Sequence, residues 1–126
     1  MSHLFGKKYK LTGKKLIEDL YTRGTPKKDY PFVVKILEVN STESPLQFAI
    51  AVSKRNHKKA VSRNVIKRRI REAIRLNKEE LETLLIKEHK QLAIFVIYTA
   101  KEIHDYAFIE RKFKRIFKQI ISSTNE

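Results

Sequence analysis

No cysteine occurs among the 126 residues, which removes disulfides and thiolate metal ligands and suits a reducing compartment. Glycine is nearly as scarce. Gly6, Gly13 and Gly24 are the whole supply, too few and too scattered for a phosphate-cradling loop. Aspartate is confined to Asp19, Asp29 and Asp105, which read as helix-surface, loop and cap residues, and most glutamates fall on solvated helix faces. His3, His57, His89 and His104 show no HExxH or comparable spacing, although His57 stands in a basic loop where it could meet phosphate. An enzyme acting on its own needs metal-binding carboxylates or a positioned acid and base. The chain is therefore expected to break no bond itself, with no catalytic and no metal-ligating residue. No apolar run approaches the roughly 20 residues of a spanning helix, and the start, MSHLFGKKYK, lacks the apolar core of a signal peptide. The expectation is a cytoplasmic protein with neither a membrane partner nor a small-molecule substrate.

What the chain has in excess is positive charge. Its 28 Lys and Arg residues against 14 acids give a formal charge of +14 and a pI near 10.1, which points to a nucleic-acid partner. With 41% hydrophobic residues it is a folded domain, read as one unit over residues 1–126 with residues 1–11 as a flexible basic arm. The charge is concentrated in Ser53 to Asn77, SKRNHKKAVSRNVIKRRIREAIRLN, where ten Lys or Arg residues lie between Lys54 and Arg75 with one acid, Glu72. Ile66, Ile70 and Ile74 recur at i+4 and predict one apolar stripe of a helix, with Ser62 as its N-cap. Arg63, Lys67, Arg71 and Arg75 recur with the same period, widened by Asn64 and Arg68, on the flank of that stripe. Like charges stacked this way repel one another unless a polyanion lies along them.

Around this helix the chain reads as alternating elements. Thr12 as N-cap, then Leu16, Ile17, Leu20 and Tyr21 at helical spacing before Gly24, predict a helix of about three turns. PFVVKILEV from Pro31 and LQFAIAVS from Leu46, separated by NSTESP, predict a hairpin. In its second strand Phe48, Ile50 and Val52 alternate with Gln47, Ala49 and Ala51, so one face is bulky and the other small, leaving room for a helix or a ligand. In the first, Lys35 stands alone among apolar residues and is placed on an open face. The basic helix ends or kinks near Leu76-Asn77, and residues 78–85 begin a further amphipathic segment. QLAIFVIYT from Gln91 predicts a central strand buried on both sides. Asp105 caps a last helix with a core stripe of Ile109, Phe113, Ile116, Phe117 and Ile120, while Arg111, Lys114, Arg115 and Lys118 read as a solvated face. The fold class is an α/β (α+β) sandwich with one mixed sheet and helices packed on it.

The segment from Ala60 to Ala73, AVSRNVIKRRIREA, resembles the signature of the bacterial ribonuclease P protein family, in which an Ala-Val pair precedes an Arg-Asn-Arg triplet and then Ile-Lys-Arg. Val52-Ser53-Lys54-Arg55 is similar to that family's Val-Ser-Lys-Lys. One departure stands out: the second Arg of the triplet is Val65 here, so its contact is lost or taken over by Arg68 or Arg69. The resemblance implies about four strands in the order αβββαβα, with an extra short strand around Val52 to Asn56 and a left-handed βαβ crossover. It implies a protein subunit that binds a catalytic RNA and the 5′ leader of precursor tRNA, while the RNA holds Mg2+ and does the cutting; the protein alone binds no cofactor. Lys54, Arg55, Lys59, Arg63, Asn64, Lys67, Arg68 and Arg71 would then face the RNA subunit, and Tyr21, Phe32 and Lys35 would line a leader-binding cleft between the sheet, the first helix and the basic helix. A structural rRNA-binding protein of ribosomal type is the alternative on charge alone. A helix-turn-helix DNA binder is disfavoured, because strands flank the basic helix.

Overall fold

The computed structural model describes residues 14–40 and 44–124, with side chains from residue 17 onward. The basic arm and the Thr12 cap lie outside them. The elements are α1 (Lys14–Arg23), β1 (Thr25–Asp29), β2 (Phe32–Val39), β3 (Leu46–Val52), α2 (Ala60–Asn77), α3 (Glu79–Lys87), β4 (Gln91–Tyr98) and α4 (Tyr106–Thr124). They form one four-stranded mixed sheet in the order β1-β2-β4-β3. β4 is central as expected, antiparallel to β2 and parallel to β3. The segments expected to form a hairpin therefore do not pair with each other: β4 lies between them, and β3–α2–α3–β4 is a parallel crossover unit. The hairpin is instead β1 with β2, in register from Thr25 opposite Ile36 to Asp29 opposite Phe32. That strand is the third one of the αβββ order, and it occupies 25–29 rather than 52–56, where the chain turns.

Alternation along the strands sorts side chains to two faces. Phe32 and Val34 of β2, Leu46, Phe48 and Val52 of β3, and Leu92, Ile94, Val96 and Tyr98 of β4 point to one side. There they meet Ile66, Ile70, Ala73 and Ile74 of α2, Leu81 and Leu85 of α3, and the whole predicted stripe of α4. Every residue of that stripe is at most 3% exposed. On the other side α1 lies across β2 and β4, with Leu20 buried on Ala93 and with Ile17, Leu37, Ala49 and Phe95 packed around them. Ile17 thus packs on the sheet.

Helix ends follow local chemistry. Asp105 Oδ1 accepts from the Phe108 amide at 2.9 Å and starts α4 as expected. α2 begins at Ala60, two residues before its predicted cap; Lys59 occupies the cap position without a side-chain bond, and Ser62 lies inside the first turn. α1 stops at Gly24, whose amide donates to the Leu20 carbonyl at 2.9 Å. A Cβ at Gly24 would come within 2.4 Å of that oxygen and 3.2 Å of the Ile36 amide nitrogen. Only glycine lets the helix end so close to β2.

Candidate nucleic-acid interface

The loop from β3 to α2 is built to face its cations outward. Ser53 Oγ accepts from the Arg55 and Asn56 amides at 3.2 and 3.4 Å, the His57 amide donates to the Ser53 carbonyl, and Asn56 Nδ2 donates to the Thr99 carbonyl. His57 is 5% exposed, and its Nε2 lies 2.8 Å from the Ala100 carbonyl. This corrects its expected role: the ring anchors the loop and is shielded from phosphate. Arg63 closes the arrangement from the helix, donating from one nitrogen to the His57 and Lys58 carbonyls at 2.9 and 2.8 Å. Lys54, Arg55, Lys58 and Lys59 stay exposed.

The helix face continues this surface. Asn64, Arg68 and Arg71 are exposed and Lys67 is half-buried. Among the described residues no acid lies within ion-pair distance of Lys54, Arg55, Lys58, Lys59, Lys67, Arg68 or Arg71. Arg75, the last of the expected row, differs. It pairs with Glu72 one turn back, a bond that holds the glutamate below the usual carboxylate range. Arg69 differs too, donating to the His104 carbonyl at 2.7 Å.

The cleft expected beside the first helix maps to the opposite sheet face. α1 covers β2 and β4, and the small face of β3, with Ala49 and Ala51, is half-buried beside it. Tyr21 is 55% exposed at the rim, its ring centroid 6.3 Å from that of Phe95. Lys35 sits on this face as expected: its Nζ donates to the Tyr21 carbonyl at 2.9 Å and lies 4.8 Å from the Tyr21 ring centroid. Phe32 does not belong here. It is 1% exposed, points to the helical core and packs on Phe113 with centroids 4.8 Å apart, so it can stack on no ligand. The aromatic residue that the sheet does place on this face is the half-buried Phe95. Its parity with Ala93 rather than with Ile94 was the available signal, hidden by a strand apolar almost throughout. α2 packs on the far side of β3, so among the described residues this face is bounded by the sheet and α1; it and the ridge flank one edge strand.

Comparison with known proteins agrees with this architecture. The ribonuclease P protein component of Chlorobium phaeobacteroides is 33% identical over 92 residues, 68% of this chain and 63% of that protein. That of Porphyromonas gingivalis is 33% identical over 66 residues, 52% of this chain and 48% of the relative. The chain thus spans about half to two thirds of the length of these curated relatives. The ribonuclease P protein of Staphylococcus aureus superposes with a TM-score of 0.73 at 23% identity, over 89% of this chain and 94% of that one. The protein from Thermotoga maritima gives 0.66 at 24%, over 87% and 96%. Both share the fold. With the ribonuclease P family model matching residues 5–121, the chain belongs to the ribonuclease P protein family.

Proposed function

We propose that this chain is the protein subunit of a ribonuclease P ribonucleoprotein, binding a catalytic RNA along α2 and the β3–α2 loop and the 5′ leader of precursor tRNA on the sheet face beside α1. The observation that carries the reading is the pairing of two unlike surfaces across one edge strand: a ridge of cations without acid partners among the described residues, and a sheet face rimmed by an aromatic ring and a lysine. The ridge suits a folded polyanion, because each neutralised phosphate releases condensed counterions. The cleft suits an extended single strand, which stacks a base on Tyr21 or Phe95 with little regard to sequence.

Arg68 takes over the contact that Val65 cannot make. It is exposed and has no acid within ion-pair distance among the described residues, whereas Arg69 is committed to the β4–α4 loop. Arg63 holds the loop through one nitrogen and offers the rest of its fork to phosphate. Magnesium enters with the RNA subunit, which performs the cleavage; the chain's own part is to neutralise phosphates and to hold the leader. Its setting is the cytoplasm, and no described helix is long and apolar enough to cross a membrane. Reconstitution with the cognate RNA at low magnesium tests the proposal: precursor tRNA should be cleaved markedly faster with the protein than without, and equal rates would refute it.

A further inference from the structure

A second aromatic group stands outside the cleft, on the side of the molecule that carries α2 and α4. Tyr30, in the β1–β2 turn, is 52% exposed. His104 of the β4–α4 loop stacks on Phe108 of α4 with centroids 4.1 Å apart and planes 18° from parallel, and Tyr30 stands edge-on to both, at 5.5 and 6.4 Å. An exposed tyrosine ordinarily samples several rotamers. This one is clamped, since its hydroxyl donates to Glu102 at 2.6 Å and lies 3.0 Å from His104 Nε2. With its single proton directed at Glu102, the phenol oxygen is left to accept, which it does from the His104 tautomer that carries its proton on Nε2. The ring is therefore presented open to solvent yet held in place, so a ligand stacking on it loses little further freedom.

The platform is joined to the ridge. Arg69 reaches from α2 to the carbonyl of His104 itself at 2.7 Å, so the platform adjoins the flank of α2 next to Arg68, about 100° away around the helix, while Lys67 and Arg71 lie on the other flank. We propose that Tyr30 is a stacking platform for an unpaired nucleotide of the RNA that lies along α2, a contact separate from the cleft; this rests on the function proposed above. The nearby charges favour recognition through the ring and not through phosphate. Lys101 is exposed and Arg111 lies over the Phe108 ring at 5.2 Å, but Glu102 and Asp105 stand beside them and Lys112 is paired with Asp29. The ring should thus add affinity without adding salt dependence.

The test is binding of the whole protein to the cognate catalytic RNA over a salt series, comparing Tyr30→Ala, Tyr30→Phe and Arg68→Ala. Losing one stacked base should weaken binding about 5- to 150-fold in Tyr30→Ala, with the salt slope unchanged. Tyr30→Phe keeps the ring and loses the clamp, and should stay within about 3-fold of the parent. Arg68→Ala should weaken binding and flatten the slope by about one unit. Both Tyr30 variants lose the same hydroxyl bonds, so a folding defect from the clamp would appear in both melting curves. Equal weakening in both would assign the effect to the clamp and overturn the platform. Parent-like binding by Tyr30→Ala beside a weakened Arg68→Ala would overturn the platform and leave the proposed function standing. Parent-like binding by both would overturn the two together. Weakening seen only for precursor tRNA would move the nucleotide to the substrate and overturn its assignment to the catalytic RNA.

Discussion

α2 and α4 pose nearly the same sequence problem and solve it oppositely on their outer faces. α2 carries six Lys or Arg residues and α4 five, with one glutamate each, Glu72 and Glu110. Both bury a clean apolar stripe in the same core. On α4 the cations meet carboxylates: Lys112 and Arg115 converge on the half-buried Asp29 at 3.8 and 3.3 Å, and Lys114 lies 3.9 Å from Glu110. Among the described residues, only Arg75 of α2 has an acid within ion-pair distance. Arg63 and Arg69 donate to neutral backbone carbonyls instead. A carbonyl fixes the direction of a guanidinium while leaving its charge uncompensated, whereas a carboxylate cancels it. Composition alone cannot separate a solvated helix from an interface; the identity of the acceptors can.

The comparison is sharpest where the helices should agree. Truncating Phe113 to Ala on α4 removes a ring that touches Phe32 and Phe117 in a fully buried site, and should cost about 3–5 kcal/mol. Ile70→Ala on α2 should cost about 2–5 kcal/mol for the same reason. Urea unfolding of the two variants measures this, and a difference well outside those ranges would mean that one helix is only loosely packed.

The outer faces should then diverge. Arg68→Ala with Arg71→Ala should reduce the salt slope of RNA binding by about two units, one for each lost phosphate contact. Arg111→Ala with Lys118→Ala on α4 removes equal charge and should leave the slope nearly unchanged. Matching losses would make the ridge a matter of net charge, not of place. Within α2, Arg63→Lys separates charge from brace, because the shorter lysine does not carry its ammonium to the point between the His57 and Lys58 carbonyls that one guanidinium nitrogen of Arg63 occupies. Amide protection of residues 54–59 should fall in the free protein of both Arg63→Lys and Arg63→Ala, and affinity should drop by a smaller factor than in the double variant. Unchanged protection would show that the loop holds itself.

The sequence carried some of this plainly and some not at all. The α4 stripe and its Asp105 cap, the centrality of β4 and the Ile66, Ile70, Ile74 stripe were readable because each is set by spacing within one segment. Pairing across the chain was not. β1, TPKKD, has no apolar alternation, since its side chains are exposed or half-buried at an edge, and nothing local says that β4 inserts between β2 and β3. The same blindness misplaced Phe32. β2 is apolar on both faces, and only its position opposite Tyr98, with the helices beyond, decides which face is core. For the site, the ridge was legible as charge density, but the fixing of Arg63, Arg69 and Arg75 by partners 3 to 35 residues away was not.

The smallest effect tests what the two helices share, a single glutamate held as an anion. On α2, Arg75 keeps Glu72 ionised; on α4, Glu110 is held below the usual carboxylate range first by Asn77, whose amide nitrogen donates at 3.1 Å, and then by the Tyr106 hydroxyl at 3.0 Å. A carboxyl whose pKa is lower folded than unfolded binds fewer protons in the folded state. Its contribution is therefore complete above the unfolded value, about 4.3, and disappears as pH falls through the lower folded value. Stability should be flat above about pH 5 on this account and decline below about 4.3. Glu110→Gln, which keeps a side-chain oxygen for Asn77 and Tyr106 but cannot titrate, should decline less steeply in urea unfolding at pH 7, 4 and 3. A slope identical to the parent's would show that Glu110 is protonated as readily folded as unfolded, leaving Glu72 and Glu102 as the acid-sensitive groups, the latter held down chiefly by the Tyr30 hydroxyl.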